Sequence, residues 1–509
     1  MHRCLQISEI ILNVVAYLPQ SRDLAAVALV CRAFEAPALD SLWREPGHDL
    51  LQHILGCFPD DLLEVFAALD KITLRLRRPI LHKDWERPSR YCARVRSLLL
   101  KADEGSKYLD VFSLFTLSFP GDFVFPRLHI LRWILGNPAA PAAATKEESD
   151  LLGFLRMLIP PTLQRFHIEQ RVGGLKLLLS ALPSITSRAR SLTHVHLGRL
   201  RTRAAICTSG EREAISDFVL RLERLESLIV PAIDGRAFLH LAALPGLTNL
   251  RLETCLESTR IPAILPRAET FVALQTLRVE SLAMSAALNF LLFISSSPLV
   301  HLSLTPVSSA SIEELEEFYS QLAATELALN LDSLEQPLSQ SPIAQRAVSR
   351  QALISIGACE NLTSLSMYSH PPFDIDGPTL LTVASGLRSL ETLRLRQNDP
   401  HSQLPLNTLI GLSALCPALA LVDLTFDTTT IPSLCAIPGK RRQRRARFSE
   451  PFELAMGRSV LQGGQVFKIA RFISGLFPEL QSLESDWYNT NIRMSQRWEE
   501  VQEMVFDLQ

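Results

Sequence analysis

LTNLRL from Leu247 and LQTLRV from Leu274 are two copies of one short pattern, L-x-x-L-x-L, whose recurrence decides how this 509-residue chain folds. The last two apolar residues of each copy alternate with polar ones, the period of a strand buried on one face. Further clear copies are LQRFHI from Leu163, LTHVHL from Leu192, LESLIV from Leu225, LVHLSL from Leu299, LTSLSM from Leu362, LETLRL from Leu390 and LALVDL from Leu419. Their starts differ by 29, 33, 22, 27 and 25 residues through the first six and by 28 and 29 through the last three. Weaker copies begin at Val95, Leu128, Thr325, Phe452 and Leu480. Between copies lie stretches with apolar residues at helical steps, such as 212–225, 311–322 and 466–477, and turn signals at Pro183, Pro245, Pro298 and Pro417. Strand and helix in regular succession predict parallel strands on one side and helices on the other.

Periods of this length are those of leucine-rich repeats. The predicted fold class is therefore α/β, a three-helix N-terminal module followed by a leucine-rich-repeat solenoid with strands on its concave face and helices on its convex face. No single repeat could bury its leucines without its neighbours. The domain reading is a helical module over 1–45, a helical linker and array cap over 46–94, and the solenoid over 95–509. Loop insertions are expected near 138–148, where PAAPAAAT falls, and near 433–449.

The first 43 residues read as three short amphipathic helices. Ile7, Ile10, Ile11, Val14, Val15 and Leu18 recur at three- and four-residue steps, which predicts a helix from about Ser8 to Leu18, closed by Pro19. Ser21 is a candidate N-cap for a second helix, with Asp23 near its positive end and Leu24, Val27, Ala28 and Val30 on its apolar face. A third helix should run from near Arg32 to Trp43.

This block resembles the F-box, the adaptor-binding module of cullin-based ubiquitin ligases, in the Ile7 to Ile10 opening, Leu18, Asp23-Leu24, Val30-Cys31, Phe34 and Leu42-Trp43. It departs from the family opening, since Ser8 stands where proline is usual and Glu9 follows directly. The resemblance implies docking to a ligase adaptor, and through it to a cullin complex, by Ile7, Ile10, Ile11, Val14, Leu18, Leu24, Val27, Val30, Cys31, Phe34 and Trp43. The alternative is a helical cap that merely seals the array, as terminal repeats require. A connector resembling that of fungal F-box proteins with such repeats follows, at Asp84-Trp85, Tyr91-Cys92-Ala93 and 95–98. A second similarity of this kind lies in ARFISGLFPELQSLE with Trp487 and Trp498. Ordinary packing of Trp85 and Trp487 against neighbouring repeats is the preferred reading of those residues.

Lys plus Arg number 51 against 53 Asp plus Glu, so no global field draws the chain to nucleic acid or to an acidic membrane. Apolar residues make up 47%, enough for a continuous core. Nine cysteines stand singly at 4, 31, 57, 92, 207, 255, 359, 416 and 435 without a Cys-x-x-Cys pair, the usage of reduced, buried thiols. No leader-like segment opens the chain, and the longest apolar run, 288–294, is far short of a membrane span. A cytoplasmic or nuclear protein is expected.

On the concave face the target-binding candidates are Arg165, His167, His194, His196, Arg251, Arg278, Tyr368, Arg394 and Arg396, interleaved with Glu169, Glu253 and Glu280. Arginine and tyrosine are usual anchors for a polar protein segment. Exposed strand positions are polar in any case, which is the plainer reading. His194 and His196 share one side of a strand, a spacing that can bind a metal if a third ligand approaches, but the sequence supplies none, so solvent-facing histidines and no metal are expected. Gly173-Gly174 and Gly463-Gly464 lack the context of a phosphate loop and read as turns, no catalytic set is found, and no cofactor is expected. The basic run at 440–447 reads as a solvated loop or a nuclear localisation signal.

Overall fold

The computed structural model describes all residues except 1–6, 48, 69–70, 102–108, 136–152, 171–175, 200–206, 254–269, 283, 307–310, 338–347, 370–372, 433–451 and 489. The expected insertions at 138–148 and 433–449, the basic run, Gly173-Gly174 and Cys4, Cys255 and Cys435 lie outside the described residues. The chain divides into two compact units, residues 1–237 and 238–509.

The first unit opens with α1 (Ser8–Ala16), α2 (Ser21–Ala28) and α3 (Arg32–Arg44). Ile11, Val15, Leu24, Phe34 and Ala38 form their shared core, with Leu18, Val27, Ala28, Cys31, Ala33 and Leu42 packed against it. One capping expectation, that of Ser21, is corrected. Gln20 is the N-cap of α2 and Ile7 that of α1, so Ser21 and Ser8 are first helical residues, and neither helix start has a side-chain cap. Asp23 and Glu9 in the first turns supply the favourable charge instead.

The stretch 46–94, expected to be helical, contains helices Leu50–Leu55 and Glu86–Cys92 and also an antiparallel hairpin, β1 (Leu63–Ala68) with β2 (Lys71–Leu76). KITLRL, which forms β2, alternates apolar and polar residues, a strand period that the helical reading passed over. Trp85 is buried in an aromatic cluster with Phe58, Phe115 and Phe119 at centroid distances of 4.8, 5.4 and 5.0 Å. Arg78 pairs bidentately with buried Asp84 at 2.7 and 2.9 Å, and the Asp84 carboxylate also accepts from the Leu81 N–H.

Five parallel strands complete the first unit: β3 (Ser97–Leu100), β4 (Ile130–Leu135), β5 (Arg165–Gln170), β6 (His194–Arg199) and β7 (Ser227–Val230). Their register aligns the second apolar residue of every repeat, Leu98 with Leu131, Leu131 with Phe166, Phe166 with Val195 and Val195 with Leu228.

Nine more parallel strands form the sheet of the second unit: β8 (Asn249–Leu252), β9 (Thr276–Leu282), β10 (His301–Pro306), β11 (Ser333–Gln336), β12 (Ser364–Ser369), β13 (Thr392–Gln397), β14 (Leu421–Leu424), β15 (Phe452–Ala455) and β16 (Leu480–Glu484). The same ladder runs through Leu250, Leu277, Leu302, Leu334, Leu365, Leu393, Val422, Leu454 and Leu483. Each of these is almost fully buried, which contributes roughly 1.5–3 kcal/mol per side chain. Among the described residues helices lie between most successive strands, and reciprocal capping boxes at Thr208–Glu211 and Ser311–Glu314 fix where two of them begin.

One repeat sits elsewhere than the sequence pattern placed it. TELALN from Thr325 contains the short helix Leu327–Asn330, and the strand is formed by the next segment, LDSLEQ from Leu331. Leu331 and Leu334 are buried as expected of a repeat, but Gln336 holds the third apolar position. It is tolerated because its Oε1 accepts from Tyr319 Oη at 2.6 Å.

Cys57, Cys92, Cys359 and Cys416 are buried, and burial raises each thiol, Cys359 and Cys416 to about 11, which keeps them protonated and inert.

Candidate docking and recognition surfaces

The helical module divides its apolar residues between an interior and an outer surface. Of the residues expected to dock an adaptor, Ile11, Leu24 and Phe34 are spent on the module's own core, with Leu18, Val27 and Cys31 half-buried against it. Ile10 is half-buried, and Ile7, Val14 and Val30 are exposed. Three large apolar side chains absent from the sequence reading are exposed as well: Leu12, Tyr17 at 86% and Leu29 at 88%, the last beside Val30 at 70%. The signal was present in α1, SEIILNVVA, which is apolar on more than one side, so a face is left over once Ile11 and Val15 are buried.

Trp43 is half-buried. Its ring stacks on Tyr91 with centroids 4.6 Å apart, and it lines an open cavity of about 880 Å³ together with Arg87, Phe58 and Val65. Arg94 pairs with Asp40 and donates to the Ala36 carbonyl at 3.2 Å, while the Arg96 N–H donates to the Arg44 carbonyl at 2.9 Å. The last turn of α3 is thus tied directly to the start of β3.

On the polar face of the first unit's strands, His167 and His196 are cross-strand partners whose Nδ1 atoms lie 3.2 Å apart. His167 Nε2 reaches Glu169 at 2.7 Å. His194 is held apart from them, its Nδ1 2.8 Å from Thr193 Oγ1, and burial together with cross-strand Arg165 pushes its pKa down. Arg165 itself is exposed.

On the second unit's strands, Arg251 and Arg278 converge on Glu280 at 3.1 and 3.5 Å, and Arg251 lies 3.7 Å from Glu253. Farther along, Tyr368 stands opposite Arg396, and Arg394 opposite Asp423. Asp423, absent from the sequence reading although LALVDL sets it in register with Arg394, is buried and ion-paired with Arg396. Burial pushes its carboxyl up against the pull of that arginine. Asp423 Oδ1, Tyr368 Oη and Arg394 Nε are all buried without a hydrogen-bond partner. Each such buried, unpaired group costs about 1–3 kcal/mol of desolvation.

No helix among the described residues is long and apolar enough to cross a membrane. No curated protein matches the chain. Residues 8–47, the three-helix module with its exposed apolar side chains, match the family described as F-box-like.

Proposed function

We propose that this protein is a substrate-recruiting subunit of a cullin-type ubiquitin ligase, working in the cytoplasm or nucleus. The F-box-like module would dock the ligase adaptor, and the parallel strands, taken as a leucine-rich-repeat array, would hold a target protein on their polar face. The chain would perform no bond chemistry; it would raise the rate by holding a target close to a charged ubiquitin carrier. The observation that carries this reading is the F-box-like match over 8–47 together with Tyr17, Leu29 and Val30 left exposed on that module. Charged substitutions there should leave the fold intact. In a Leu29→Asp, Val30→Asp variant, capture of adaptor and cullin by the full chain should fall at least tenfold with an unchanged melting temperature. Capture at the unaltered level would overturn the docking role.

A second reading is favoured by the bonds between α3 and the strand that follows it: a scaffold whose N-terminal helices only cap the array. In that case neither adaptor nor cullin co-purifies, and the Leu29→Asp, Val30→Asp variant changes no interaction.

A further inference from the structure

We propose that His167 and His196, oriented by Glu169, bind a divalent transition-metal ion of the zinc, copper or nickel class on the polar face of the first unit. Along β6 the sequence offers only His194 and His196, and His194 is turned to Thr193. Register supplies the missing partner: β5 places His167 beside His196, ring centroids 4.0 Å apart, and Glu169 beside Gly198. One donor atom from each of His167, Glu169 and His196 lies within 4.8 Å of the other two. Two nitrogens bound to a tetrahedral zinc at about 2.0–2.1 Å are separated by roughly 3.3 Å. The Nδ1 atoms of His167 and His196 already stand 3.2 Å apart.

The tautomers follow from the same contacts. Glu169 accepts from His167 Nε2, which in the neutral ring leaves the lone pair on Nδ1, facing His196. The proton between the two Nδ1 atoms then belongs to His196, and an incoming ion takes its place as that proton moves to His196 Nε2. A carboxylate behind a ligating imidazole is the usual outer shell of such sites, and imidazole donors favour zinc, copper and nickel over magnesium or calcium. Gly198 makes the arrangement possible, since a Cβ there would lie 2.5 Å from His196 Nε2. Arg132 on β4 and Ile229 on β7 flank the pair in register and offer no further ligand, so solvent would complete the coordination shell.

The test is titration of the full chain with cobalt(II), followed by visible absorption, and with zinc, followed by calorimetry. The proposal expects one ion whose spectrum carries ligand-field bands and no thiolate charge-transfer band, which separates this site from the cysteines. His196→Ala should lose at least tenfold in affinity, Glu169→Ala about tenfold, and Gly198→Ala should weaken binding by displacing the ring, each with its melting temperature recorded in the metal-free state. Absence of binding, a thiolate band, or undiminished affinity in a folded His196→Ala variant would overturn it.

Discussion

The indole of Trp43 lies stacked on the phenol ring of Tyr91, joining the last turn of the F-box-like module to the helix that precedes the first strand of the sheet. A residue whose sequence context suggests an outward docking anchor therefore has a structural task. Trp43→Ala should lower stability by about 1–3 kcal/mol, combining lost apolar contact with lost ring stacking. Thermal unfolding of the full chain measures this, and a stability unchanged within error would contradict it.

Acid should loosen the connector before the strands. Arg78, with help from the Leu81 N–H, holds the Asp84 carboxyl down to about 2. A depressed carboxyl adds stability above its ordinary range, and that stability is lost as pH falls from near 4 through about 2. Asp84→Asn should lower the melting temperature at neutral pH and narrow its difference from the unaltered chain as pH approaches 2. A constant difference across that range would refute the linkage.

Tyr319 and Gln336 form a polar pair within the repeat leucines. Burial raises the Tyr319 phenol, so it keeps the proton that it donates. Tyr319→Phe and Gln336→Leu should each cost about 1–3 kcal/mol by stranding the other partner. The double variant should cost less than the sum, a coupling of about 1 kcal/mol or more in a denaturant cycle.

Gly386, at the end of the helix Gly377–Gly386, has no room for a side chain: a Cβ there would lie 2.0 Å from the Gly357 carbonyl oxygen. Since the obstacle is backbone, Gly386→Ala should cost about 3 kcal/mol. Gly464, with nothing within 4 Å of its Cβ position, provides the control.

The strands were legible in the sequence because the spacing of leucines is itself the spacing of the sheet: Phe166, Val195, Leu277 and Leu393 occupy equivalent rungs wherever a copy was clear. The pattern failed where one polar residue replaced an apolar one, as at Gln336, because its satisfaction depends on Tyr319, 17 residues away. It also could not divide α1 between inside and outside, since Ile11 and Leu12 are neighbours of the same chemistry with opposite exposure. The approach of His167 to His196 is invisible along either strand and arises only from their register.

The bond from the Arg96 N–H to the Arg44 carbonyl ties the end of α3 to the start of β3. Whatever settles on the front helices would inherit a set bearing toward the strands that follow, like a clamp on a jointless arm. Inserting residues between 44 and 96 would be the way to loosen that bearing.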